Sequence, residues 1–281
     1  MTNGTWNPLR RNRNIGTAKS GASKENKLKI PERWCDFKIF WERLSNPVII
    51  PISVGEHSIT MFVEPPRDGY VHAVTPQDII RVLELVEKEH LEEIEIIVLR
   101  QPTRKDEILN PAWGIFVYYA DLGKYSGPGI YLQAQERGKE IRWKKRLTPF
   151  ELNELKRLKM DGHRVSDNRK NYIVTTTPDS VRNTQLFRTL PHEIGHSVDY
   201  LIHSLNPSVQ AKSESESNYI SSKYDSKPSH DKEEFAHRYA REFYEKYKKK
   251  GILPFPRIYD ERRLRNLGLE PEWFKSDIDC K

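Results

Sequence analysis

The chain has 281 residues, 36% of them hydrophobic and 31% charged, with a formal net charge of +7 and a sequence pI near 9.2. That length fits one large domain or one domain with appendages, and no run of eighteen apolar residues is present to cross a membrane as a helix. Its two cysteines, Cys35 and Cys280, lie too far apart for a disulfide framework. A reducing compartment is therefore expected. The N-terminus is basic but has no apolar stretch of the secretory kind, so a cytoplasmic place is expected, with export by a signal-less route left open.

The charge is uneven. Residues 1–29 hold seven Lys or Arg against one acid, Glu25, for a net +6. The other 252 residues are near balance. This tail is polar and rich in Gly, Ser and Asn, so it reads as a disordered arm. Such an arm makes at most weak contact with nucleic acid or acidic surfaces.

Residues 30–73 read as a β-rich extension. Trp34, Phe37, Ile39, Phe40 and Trp41 form an apolar cluster, and short strands at Val48–Ile52 and Ser58–Val63 flank a turn at Gly55. Residues 74–281 read as the main domain. Thr75 followed by Pro76 is a helix start, with Ile79, Ile80, Leu83, Leu85 and Val86 as the apolar face. Ile94–Leu99, Trp113–Tyr119 and Gly129–Gln133 are expected strands, the last a candidate edge for pairing with an extended ligand.

Residues 136–170 look like an insertion at the rim of a cleft. They hold twelve Lys or Arg and six acids, and Thr148-Pro-Phe-Glu151 is a capping box for a short helix. Tyr172–Thr176 is a further strand.

His192-Glu193-Ile194-Gly195-His196 follows. Two histidines four apart on a helix are separated by about 6 Å of rise and point the same way, so both can reach one zinc ion. Glu193 then stands beside the metal without binding it, which suits a general base acting on an activated water. Leu190, Ile194, Val198 and Leu201 recur at helical spacing. Pro191 implies either a new helix capped by Thr189 or a bend in one that begins near Ser180. Asp199 shares the face of the histidines, and His203 reads as a helix-end residue.

A catalytic zinc needs a third protein ligand. Residues 204–230, rich in Ser, Asn and Lys, read as a long surface loop. A second helix then carries Asp231-Lys-Glu233-Glu234-Phe235-Ala236-His237-Arg-Tyr239-Ala240. Glu233, Ala236, His237 and Ala240 share one face of it. Glu233 is the candidate ligand and Glu234 its rival by one register slip. The helix should end at Gly251, and residues 252–281 should pack over the core.

HEIGHSVD and EEFAHRY together resemble the gluzincin metallopeptidases, the group that includes the catalytic domain of anthrax lethal factor. The resemblance spans about residues 186–245. It implies an α+β zincin-like metallopeptidase fold, in which a small mixed sheet packs on the HExxH helix beside a second ligand helix. It also implies zinc held by His192, His196 and Glu233, with Glu193 as the base. His237 stands where the family usually has an acid. By analogy with a family tyrosine upstream of the glutamate ligand, Tyr224 is the candidate oxyanion donor, ahead of Tyr219 and His230.

The expected activity is zinc-dependent endopeptidase hydrolysis of a protein or peptide substrate. Two alternatives stand beside it: a regulatory or toxin-like protease with one dedicated partner, and a nucleic-acid-binding protein with a vestigial metal site. No oligomeric state follows from the sequence.

Overall fold

A computed structural model describes residues 39–109 and 111–276. The basic tail, Trp34, Phe37, Cys35 and Cys280 lie outside the described residues. The chain divides into a unit of residues 1–43, of which a single 3₁₀ turn at Phe40–Glu42 is described, and a compact unit from Leu44 to the C-terminus.

The second unit is an α+β structure. Strands β1 (Val48–Val54) and β2 (His57–Val63) form an antiparallel hairpin across Gly55. A short β3 (Tyr70–Val71) precedes helix α1 (Pro76–Leu83), where the Thr75 hydroxyl accepts from Asp78 N–H at 3.1 Å. A one-turn α2 (Lys88–Leu91) leads into β4 (Ile96–Arg100), all five residues of which are buried. After α3 (Arg104–Leu109) come β5 (Gly114–Asp121), β6 (Ser126–Gln133) and β7 (Gln135–Glu136), the last paired with β3.

The main sheet has the order β1-β2-β4-β6-β5. β2, β4 and β6 run parallel, while β1 and β5 run antiparallel to their neighbours at the two edges. Two expectations need correction here. β1 and β2 belong to the same sheet as the later strands, so residue 73 does not separate an extension from a domain. Gly129–Gln133 is not an edge, because β6 is paired on both sides. The edge beside the histidine helix is β5.

The basic segment 136–170 builds structure of its own. β8 (Glu140–Lys144), α4 (Pro149–Met160), β9 (Arg164–Asp167) and β10 (Asn171–Thr175) form a three-stranded sheet, order β8-β10-β9, with a helix. Thr148 caps α4 as expected, and Leu155, Leu158 and Val174 make a small second core. The strand at 171–175 thus belongs to this lobe and not to the main sheet. Arg188 ties the lobe back through Glu154 at 2.5 Å and Asp161 at 2.9 Å.

Helix α5 (Pro178–Thr184) runs without a break into α6 (Leu190–Tyr200). Between them Gln185–Thr189 winds as a π-turn, and a second one at Leu201–Leu205 leads to α7 (Asn206–Val209). Each π-turn stands just before a proline, Pro191 and Pro207. A proline ring clashes with the carbonyl four residues earlier, and those carbonyls belong to Phe187 and His203, the middle residues of the two π-turns. Widening the coil there lets the helix pass each proline. Thr189 is helical and caps nothing. A π-turn within one continuous helical run, and not a new start, is what stands at Pro191.

Residues 204–230 are mostly helical, which corrects the expected loop. α8 (Glu214–Asp225) is capped by Ser213 and followed closely by the long α9 (Ser229–Lys249). α6 packs on β5 and β6 and against α9. The C-terminal stretch adds α10 (Glu261–Asn266) and a 3₁₀ turn at Pro271–Phe274, placing Leu253, Leu264, Leu269 and Phe274 in the main core. A buried, doubly hydrogen-bonded ion pair between Arg182 of α5 and Asp78 of α1, at 2.9 Å on both contacts, locks the start of the helical run to the body. No helix among the described residues is long and apolar enough to cross a membrane.

Candidate metal centre

α6 and α9 meet at unusually small residues. A Cβ on Gly195 would lie 2.9 Å from the Ala236 Cα and 3.1 Å from the Ala236 oxygen. Only a residue without a side chain allows that approach. It places the first turns of α9 directly over the two histidines of α6.

The Nε2 atoms of His192 and His196 lie 3.2 Å apart. Glu233 faces both, with Oε2 3.3 Å from His192 Nε2 and Oε1 3.5 Å from His196 Nε2. A tetrahedral ion with ligands at 2.0–2.1 Å separates those ligand atoms by about 3.3–3.4 Å. The three side chains therefore fit a zinc-sized cation with a fourth vertex left for solvent. Glu233 is half exposed, and its hydrogen bonds to the two imidazoles hold its carboxyl well below the usual range. Glu234 faces elsewhere, into a hollow with His203, Lys227, Asp231 and Arg238. Among the described residues, His192, Glu193 and His196 have ligand atoms within 4.8 Å of one another, and so do His192, Glu233 and His237.

Glu193 is 6% exposed. Burial pushes its carboxyl up, opposed by the neighbouring imidazoles of His192 and His196. A buried carboxylate beside a metal position is primed to hold a proton.

The remaining sequence candidates fall differently. His237 stacks on His192, with ring centroids 4.5 Å apart, and burial together with His192 brings its imidazole down to about 4. The buried His192 Nδ1 has no hydrogen-bond partner among the described residues, so His237 does not orient it through one. Asp199 touches no ligand. It is fully buried and its carboxylate accepts from Lys227 Nζ at 2.9 Å and from the Tyr224 hydroxyl at 3.1 Å, while its backbone carbonyl accepts from His203 Nδ1 at 3.0 Å. Tyr224 is only 3% exposed and does not line the cleft; burial and the nearby Asp199 and Tyr118 push its phenol strongly up. Tyr219 and His230 are exposed.

The cleft, with about 510 Å³ of space, is lined by His192, Glu193, His196 and Glu233 on the helices and by Gly114, Ile115, Phe116 and Tyr118 on β5. β5 is expected as a strand, but its place at the edge that lines the cleft is not. Gly114 lets it come close: a Cβ there would meet Thr189 Cγ2 at 2.7 Å. Pairing with β6 slips between Val117 and Ala120, so Tyr118 and Tyr119 sit in a β-bulge opposite Pro128. Gly127-Pro128-Gly129 was the available signal, because a proline cannot donate to the ladder and marks a bulge.

No family model matches this chain, and neither a curated protein nor a solved structure was found to match it.

Proposed function

We propose that the protein is a zinc-dependent endopeptidase of gluzincin type, with a zincin-like arrangement of sheet, HExxH helix and second ligand helix. The observation that carries this reading is the triangle of His192, His196 and Glu233 atoms, 3.2–3.5 Å on a side, with buried Glu193 next to it. His192, His196 and Glu233 hold the ion. Bound zinc supplies Lewis-acid polarisation of a water and of the scissile carbonyl.

The chain's own residues do the rest. Glu193 accepts the proton of the attacking water and returns it to the leaving amine. β5 has a paired edge towards β6 and lines the cleft, so an extended peptide is bound by backbone hydrogen bonds along its other edge. A protein or peptide substrate is the fitting class.

The test is Glu193→Gln in the zinc-loaded protein, with peptide cleavage followed by mass spectrometry. Loss of cleavage with zinc retained supports the reading. Undiminished cleavage removes Glu193 as the base.

A further inference from the structure

We infer that Tyr118 of β5, and not Tyr224, is the phenol that stabilises the developing oxyanion; this rests on the hydrolase reading above. Tyr118 lines the same cleft as His192, Glu193, His196 and Glu233, and it is 40% exposed. Tyr224 is buried behind it, the two hydroxyls lying 3.3 Å apart.

The hydrogen count separates the two phenols. Asp199, paired with Lys227, only accepts, so the single hydroxyl hydrogen of Tyr224 is committed to it. The hydrogen between the phenols is therefore that of Tyr118. It points to the Tyr224 oxygen at rest, and a phenol O–H can rotate to another acceptor without moving its ring. No proton changes owner: Tyr118 donates a hydrogen bond and keeps its hydrogen.

The backbone supports this role. The bulge at Tyr118 and Tyr119 breaks the alternation of β5. Bulges re-aim side chains in this way beside active sites. The ring is held edge-on by Phe116 at 5.0 Å and Tyr200 at 5.1 Å between centroids. With the ring held, only the hydroxyl hydrogen has to turn when charge develops.

The experiment uses the zinc-loaded full chain, Tyr118→Phe, Tyr224→Phe and Glu193→Gln. Each is incubated with a mixture of proteolytic peptides from a cell lysate. New peptide termini are read by mass spectrometry, and kcat and KM are then measured on the fastest-cut peptide. Tyr118→Phe should lower kcat by about 10²–10³-fold, the loss typical of one oxyanion donor. Its KM should stay within about twofold, and zinc content and thermal midpoint should not move. Tyr224→Phe should lower the thermal midpoint and lower kcat less.

A Tyr118→Phe protein with wild-type kcat overturns the assignment, as does a rate loss carried by KM alone or one that tracks loss of zinc. Failure of the parent reading looks different: wild type would then cut no faster than Glu193→Gln, and the role of Tyr118 would fall with it.

Discussion

Gly195 of α6 and Ala236 of α9 touch backbone to backbone, and a methyl group on Gly195 would sit 2.9 Å from the Ala236 Cα. This contact sets the distance between the two ligand helices. The spacing of His192, His196 and Glu233 therefore depends on a residue that binds nothing. Gly195→Ala should destabilise the fold by about 1–3 kcal/mol, as overpacking does. It should also weaken zinc binding by opening the triangle. Thermal unfolding and a zinc titration read the two effects, and an unchanged zinc affinity would show that the helices separate without moving the ligands.

Asp199 is the buried hub behind the cleft, joining α6 to Tyr224 of α8 and to Lys227 of the connection into α9. Asp199→Asn leaves the Lys227 ammonium without its partner carboxylate. Breaking one side of a buried pair costs about 3–5 kcal/mol. Urea unfolding at neutral pH should show a loss of that order. A loss under about 1 kcal/mol would mean that Lys227 escapes to solvent.

The pH dependence of stability should carry the mark of His72. This residue is 2% exposed, its Nε2–H donates to the Glu64 carbonyl at 2.7 Å, and burial holds its imidazole down at about 4 against an ordinary 6.5. Above pH 6.5 both folded and unfolded chains keep it neutral, and its contribution is complete. As pH falls from 6.5 towards 4 the unfolded chain takes the proton first, so stability drops, by about 3 kcal/mol in all. His163, buried and brought to about 4 by the same cause, acts in the same direction. The urea midpoint should fall between pH 7 and pH 4.5, and less steeply in His72→Gln. Equal slopes in the two proteins would exclude His72 as a source.

The ligand helices were legible because their information is local. Two histidines four apart, and a glutamate with Phe235 and Ala236 after it, encode their faces within one or two turns. Strand order is not local. The segment 129–133 reads as well for an edge as for a centre, and its parallel pairing with β4 decides the matter through residues some thirty positions away. α8 escaped notice for another reason: along Glu214–Asp225 only Tyr224 is buried, so no apolar stripe announces a helix. The role of β5 was hidden in the same way, since the bulge that turns Tyr118 depends on Pro128 across the ladder. The π-turns were in principle readable, as each follows from a single proline.

Glu233 and Glu234 are neighbours in sequence but face different hollows. Only Glu233 completes the triangle, and only its removal should empty the site. The most direct test is the zinc content per chain of the purified protein beside Glu233→Ala and Glu234→Ala, by plasma emission spectrometry after dialysis against a weak chelator. The expected result is about one zinc per chain in the wild type and in Glu234→Ala, and almost none in Glu233→Ala. Zinc retained in full by Glu233→Ala, or absent from the wild type after supply with the metal, would contradict the centre described here.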